Sequence, residues 1–259
     1  MDKPLILVTN DDSINAPGIR VLISIARAFG QVCVVAPDGP QSGKGHAITL
    51  EENLRCDSVV KEPGADQMEF QVSGTPADCV KLAVNKILPR RPDLILSGVN
   101  HGSNASVNTI YSGTMSAAVE GALERIPSIG FSLCEFSWGA DFAPAESYIK
   151  SVIKQVLAHG LPTGVCLNVN FPELVHAPYK GLRVCRMAIG NWVEEFEHRV
   201  DPRGRDYYWL TGKFENYDHG EDTDLYALDN GYVSVVPITV DLTAHHAVAS
   251  LNQWNFDEN

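Results

Sequence analysis

Short apolar runs that stop abruptly at polar clusters recur along the first two thirds of the chain. Residues 5–9 read Leu-Ile-Leu-Val-Thr and end at Asn10-Asp11-Asp12, the pattern of a strand buried on both faces of a parallel sheet. Pro17 opens a helical stripe of Ile19, Leu22, Ile25, Ala26 and Phe29, closed by Gly30. Residues 32–36 form a second buried run, so the opening predicts a right-handed β-α-β unit. A Gly- and Ser-containing loop over 37–47 follows, and then residues 48–54 and 69–73 read as two strands around a polar turn. Thr75-Pro76-Ala77-Asp78 predicts a capped helix start, with Thr75 as N-cap and the helix running to residue 87. Strands over 94–99, 129–133 and 165–169 alternate with a helix starting at Ser112 or Gly113 and another over 143–159. That alternation predicts an α/β fold: a doubly wound, three-layer α/β/α sheet.

Past residue 180 the pattern changes. Aromatic and charged residues crowd into 192–217 without a clean period, and residues 232–238 return as a strand. With no repeat, linker or low-complexity tract, the 259 residues are expected to form one domain, an α/β core over 1–180 with a β-rich extension over 181–259. Trp192, Phe196, Tyr207, Tyr208, Trp209, Phe214 and Tyr217 fit either packing against the parent domain or an interface between copies of the chain.

The formal net charge of −12 argues against a partner that is a nucleic-acid polymer, which needs a Lys/Arg field. It leaves room for a small anion, because a bound cation and backbone N–H groups reverse the sign locally. The apolar runs are too short to span a bilayer, so no membrane partner is expected. The polar cluster at residues 10–12 comes too early for a signal peptide. The six cysteines are scattered without a C-x-x-C pair and mostly sit in apolar stretches, consistent with free thiols in a reducing cytoplasm.

Three polar loops each leave the C-terminal end of a predicted strand, where ligands bind in open α/β sheets: residues 10–15, 38–46 and 100–114. Asp11 and Asp12 are hard oxygen donors suited to Mg²⁺ or Mn²⁺, though a helix cap and a turn use Asp as well. In the second loop Ser42 offers a hydroxyl and Gly43 and Gly45 allow close backbone approach, yet the Walker A spacing is absent and a plain surface loop reads similarly. His46 reads as a proton carrier, an orienting donor or neither. Asn100 presents a neutral amide oxygen. Ser112, Gly113 and Thr114 stand at a predicted helix N-terminus, where free N–H groups favour a phosphate.

Taken together these segments resemble the SurE family of survival proteins. The resemblance rests on Val8-Thr9-Asn10-Asp11-Asp12 with Ala16-Pro17-Gly18-Ile19, Val35-Ala36-Pro37-Asp38 with Gln41-Ser42-Gly43, and Gly74-Thr75-Pro76-Ala77-Asp78-Cys79-Val80. It continues in Ser97-Gly98-Val99-Asn100 with Gly102 and Asn104, Tyr111-Ser112-Gly113-Thr114, Thr223-Asp224, and Gly231-Tyr232-Val233-Ser234. The resemblance implies a Rossmann-like core and a phosphatase acting on nucleoside 5′- and 3′-monophosphates. It implies one divalent metal ion, Mg²⁺ or Mn²⁺, held by Asp11, Asp12, Ser42 and Asn100, and C-terminal segments exchanged in a homodimer or homotetramer. In this reading Asp11, Asp12, Asn100 and Ser112 are catalytic, and Ser42, Gly43, Asn104, Ser112, Gly113 and Thr114 bind the phosphate. A water activated by the metal attacks in line with the leaving alcohol.

Two positions depart from the family pattern. Ser13 stands where Gly is usual, a cost of about 1–2 kcal/mol if the turn needs a positive φ. Asn108 stands where many members carry an acid, which removes a titrating group from that place. A receiver-like signalling domain also places paired acids after its first strand, but residues 94–100 lack the phospho-accepting Asp it needs. A dinucleotide-binding oxidoreductase would carry G-x-G-x-x-G after the first strand, and this chain does not.

Overall fold

The computed structural model describes residues 3–59, 68–173, 175 and 177–256. Along the chain run β1 (Leu5–Thr9), α1 (Pro17–Ala26), β2 (Gln31–Pro37), β3 (Cys56–Ser58), β4 (Met68–Val72) and α2 (Pro76–Leu82). Next come β5 (Leu94–His101), α3 (Asn108–Tyr111), α4 (Gly113–Leu123), β6 (Ser128–Leu133), α5 (Ala143–His159) and β7 (Val165–Phe171). The last part holds β8 (Leu182–Val184), β9 (Gly190–Val193), β10 (Phe196–Val200), β11 (Asp206–Leu210), β12 (Lys213–Asn216), α6 (Asp224–Asp229), β13 (Val233–Thr239) and α7 (His245–Leu251).

Nine strands form one sheet in the order β3-β4-β2-β1-β5-β6-β7-β13-β8. The six from β4 through β7 in that order run parallel, while β3 and β13 pair antiparallel with β4 and β7. All five side chains of β1 are buried, as a strand covered on both faces requires. Ile6 and Val8 share one core cluster with Ile19, Leu22 and Ile23 of α1 and Ile149, Val152 and Ile153 of α5. Leu7 points the other way, into a cluster with Cys79 and Val80 of α2 and Ala117 of α4. The alternation along one strand therefore sets a three-layer α/β/α sandwich. From β1 the chain builds outward to β2 and β4, then crosses back to β5 on the other side of β1. The direction of winding switches between β1 and β5, the place where open α/β sheets bind their ligands.

Several predicted boundaries shift. Residues 48–54 form no strand; pairing begins only at Cys56. The segment is held by side chains instead: Thr49 donates from N and Oγ1 to the Asp78 carboxylate at 3.1 and 2.7 Å, and Thr75 Oγ1 donates to Ala47 O at 2.8 Å. Thr75 and Asp78 also form the expected capping box. The helix they start loosens into a π turn over Ala83–Ile87. α1 stops at Ala26, with Phe29 in a following turn. β5 runs to His101, and the expected loop over 100–108 ends in the short α3.

Residues 190–216 leave the sheet. Among the described residues β9 pairs only with β12 and β10 only with β11, a two-tiered antiparallel arm with Phe196, Val200, Tyr208, Trp209 and Leu210 exposed. All six cysteines are free; Cys33, Cys79, Cys166 and Cys185 are buried, whereas Cys56 is exposed and Cys134 half-buried. Among the described residues, no helix is long and apolar enough to cross a membrane.

Candidate active site

Asp11 and Asp12 leave β1 at the switch point, and both are buried. The turn that carries them is tight. Ser13 has φ 98°, so the strained conformation is present rather than avoided, and Asn10 Nδ2 braces it by donating to Ser13 O at 2.8 Å.

Asp11 sits against the first turn of α4. Thr114 Oγ1 donates to Asp11 Oδ1 at 2.5 Å, and a Cβ on Gly113 would lie 2.6 Å from Asp11 Cβ, so only glycine lets the helix approach this closely. Burial pushes the Asp11 carboxyl up from 3.8 to about 6; hydrogen bonds from Thr114 oppose the shift and the neighbouring Asp12 charge adds to it. Asp12 faces the other way. His101 approaches its Oδ2 twice, from the backbone N at 3.3 Å and from ring Nδ1 at 3.1 Å.

Asn100, at the end of β5, turns its Nδ2 to Gly102 O at 2.9 Å, which leaves the amide oxygen for a ligand. The second loop is tied to the first by Gln41 N, which donates to Asp11 O at 2.7 Å. Ser42 and Gly43 form its exposed turn, with Gly43 at φ 73°, and Gly45 N donates to Tyr111 O at 3.1 Å. His46 meets the buried Glu120 of α4 at 2.8 Å, and Lys81 Nζ donates to the same carboxylate at 2.7 Å. Burial would raise the Glu120 carboxyl, but these two partners outweigh it and hold it below its ordinary value. His46 thus clamps the loop to α4.

Of the residues expected to bind phosphate, some are already engaged. Ser112 Oγ accepts from Met115 N at 3.0 Å as the N-cap of α4, and the Thr114 hydroxyl serves Asp11. Asn104 lies behind the site: its Nδ2 donates to Ser132 Oγ at 2.8 Å, and its backbone N donates to Asn170 Oδ1 at 2.9 Å. Its side chain is committed to a buried polar network, so a direct contact to substrate does not follow from its place. Asn108 Oδ1 accepts from Trp192 Nε1 at 2.8 Å, joining α3 to the arm.

Sequence reasoning missed a fourth loop, residues 134–142, after β6. Trp138 lies over His101 with ring centroids 5.1 Å apart, and Phe142 meets the same imidazole edge-on at 5.2 Å. Phe136 packs where Gly102 lacks a side chain; a Cβ there would lie 2.5 Å from the ring. Nothing in the sequence marks His101 either, because a lone His beside a strand end carries no pattern.

Among the described residues, no three or more His, Cys, Asp or Glu side chains cluster in a metal-holding group. A cation at this place would draw on the two carboxylates plus neutral oxygens. The donor set fits a hard divalent ion: neither Asp has a Lys or Arg partner among the described residues, and Asn10 Oδ1 and Thr9 Oγ1 are buried beside them without a hydrogen-bond partner.

The model of the family described as survival protein SurE matches residues 6–194. A protein named 5′-nucleotidase SurE from Christiangramia forsetii is 58% identical, with 99% of this chain and 98% of that protein covered. Its namesake in Flavobacterium psychrophilum is 57% identical with both chains fully covered. A crystal structure of the SurE protein from Aquifex aeolicus superposes with a TM-score of 0.83 at 38% identity, covering 96% of this chain and 98% of that one. With its switch-point carboxylates, its Tyr-Ser-Gly-Thr helix start and these matches over nearly its whole length, the chain belongs to the SurE family.

Proposed function

We propose that this protein is a 5′-nucleotidase that also accepts 3′-monophosphates, hydrolysing them to nucleoside and inorganic phosphate. The observation that carries the reading is the carboxylate pair at the switch point, without a Lys or Arg partner among the described residues: Asp11 seated on the N-terminus of α4 and Asp12 held by His101. The names of the relatives support it.

A divalent cation, Mg²⁺ or Mn²⁺, would be held by Asp11, Asp12, Ser42 and Asn100. Once bound, it supplies Lewis-acid polarisation of the phosphoryl group. The protein's own groups do the rest. His101 fixes the rotamer of Asp12, and Thr114 fixes that of Asp11. The glycine turn at Gly43 and the N–H of Gly113 offer donors to phosphoryl oxygens, placed by the loop clamp and by the start of α4. Water attacks phosphorus opposite the ester oxygen; the new P–O bond forms as the ester bond breaks, and the leaving alkoxide recovers a proton. Asn108 does not titrate and its oxygen is held by Trp192, so it takes no part in that proton transfer.

The exposed arm over 190–216 supports assembly into a homodimer or homotetramer, and six free thiols support a reducing, cytoplasmic setting. The test is phosphate release from AMP and 3′-AMP by purified protein, before and after exhaustive EDTA dialysis. Release that stops with EDTA and returns with Mn²⁺ or Mg²⁺ is expected. No release under any metal condition would end the nucleotidase reading, and undiminished release from metal-free protein would end the cation's part in it.

A further inference from the structure

Phe136 and Trp138 are large aromatics left 80% and 58% exposed on the loop after β6. Because β6 is parallel to β5, that loop emerges on the same side of the sheet as Asp11, Asp12 and Asn100. Both rings lean on residues of the third loop. Trp138 rests on the imidazole of His101, and Phe136 fills the space left beside Gly102. His101 is buried beneath them, and its Nδ1 meets Asp12 at 3.1 Å. The exposed indole is thus one side chain removed from a carboxylate of the reaction centre. Glu135 and Asp141 are the only charged residues in 134–142, so the ledge offers flat apolar surface and no cation. It suits the neutral, planar end of a substrate whose anionic end sits among Asp11, Gly43 and Gly113.

We propose that Phe136 and Trp138 form the nucleobase platform of this site, so that substrate discrimination resides in the loop after β6. The inference rests on the nucleotidase reading. It assigns to this loop the stacking surface that distinguishes a nucleotide from a phosphate ester without a base. Stacking on one aromatic face raises transition-state binding about tenfold or more when the base is engaged.

The experiment compares kcat/KM for AMP and for glycerol phosphate in the wild type, Trp138→Ala, Trp138→Phe and Phe136→Ala, under one metal condition. Trp138→Ala is expected to lower the AMP value about tenfold and leave glycerol phosphate unchanged, Phe136→Ala to do so more weakly, and Trp138→Phe to restore most of the loss. A parallel loss on both substrates would show that Trp138 acts only through His101 and Asp12, and would overturn the platform. Loss on neither substrate would also overturn it, as would a fall in molecular mass of Trp138→Ala, which would make the ledge an interface between copies. A second readout is independent of turnover: AMP should quench tryptophan emission in the wild type and less in Trp138→Phe. Quenching that does not depend on Trp138 refutes the platform even in an active enzyme. Trp138-dependent quenching without hydrolysis would retain the platform and reject the nucleotidase reading.

Discussion

Asp11 is held where a carboxylate is disfavoured, and replacing it by Asn tests how much that placement costs the fold. Its carboxyl is raised from 3.8 to about 6, first by burial and further by Asp12. A raised acid is a liability above its unfolded pKa, because the unfolded chain ionises more easily than the folded one. Below about pH 4 both states are protonated and the cost is nil. It grows as pH rises through 4 to 6 and is constant above the folded pKa. At about 1.4 kcal/mol per pKa unit, the full cost is on the order of 3 kcal/mol. Asn keeps the shape and an oxygen to accept from Thr114, so Asp11→Asn should remove the cost without opening a cavity. In metal-free protein at pH 7.5, urea denaturation should show the variant more stable by up to about 3 kcal/mol, or roughly 6–12 °C in Tm. The gain should fade as the pH is taken from 6 to 4. Equal stability at pH 7.5 would refute the argument, and a gain independent of pH would assign it to packing instead of charge. The same variant should lose phosphatase activity, a trade of stability for function.

Three further outcomes follow from other residues. Ser13→Gly should raise stability by about 1 kcal/mol in chemical denaturation, since φ 98° suits glycine and strains serine; a loss would mean that the Ser13 side chain has a stabilising role. Asn108→Ala should cost about 1 kcal/mol by leaving the Trp192 indole N–H unpaired, with the pH–rate profile unmoved; abolished turnover with metal binding intact would give Asn108 a role in the reaction. The purified protein should have at least a dimer's mass by light scattering at micromolar concentration, and a monomeric mass would refute the reading of the arm.

The sheet and the carboxylate pair were legible because each rests on a strong local signal. Residues 5–8 are an unbroken apolar run just before Thr9-Asn10-Asp11-Asp12, and Thr75-Pro76-Ala77-Asp78 spells its own cap. Residues 48–54 misled because Thr49 is tied to Asp78, across 29 positions of sequence, through side-chain bonds that no periodicity records and that stand in place of strand pairing. The arm gave no clean period because all five residues of β10 and of β11 are exposed in this chain, so neither face is marked apolar by a core. The aromatic ledge was illegible for a different reason. Phe136 and Trp138 gain their meaning only once parallel pairing of β5 and β6 brings their loop beside His101.

The arm has a consequence for how the protein can be taken apart. Among the described residues none of its strands shares a ladder with the nine-stranded sheet, and its two ends meet, with Tyr217 N donating to Ile189 O at 2.9 Å. Residues 190–216 can therefore be excised and the stumps joined by a short turn without breaking a strand of the sheet. The switch-point carboxylates and the loop after β6 all lie outside the excised piece. Such a shortened chain separates assembly from chemistry: it should fold, run at a monomer's mass in light scattering, and show whether one copy alone carries a working reaction centre.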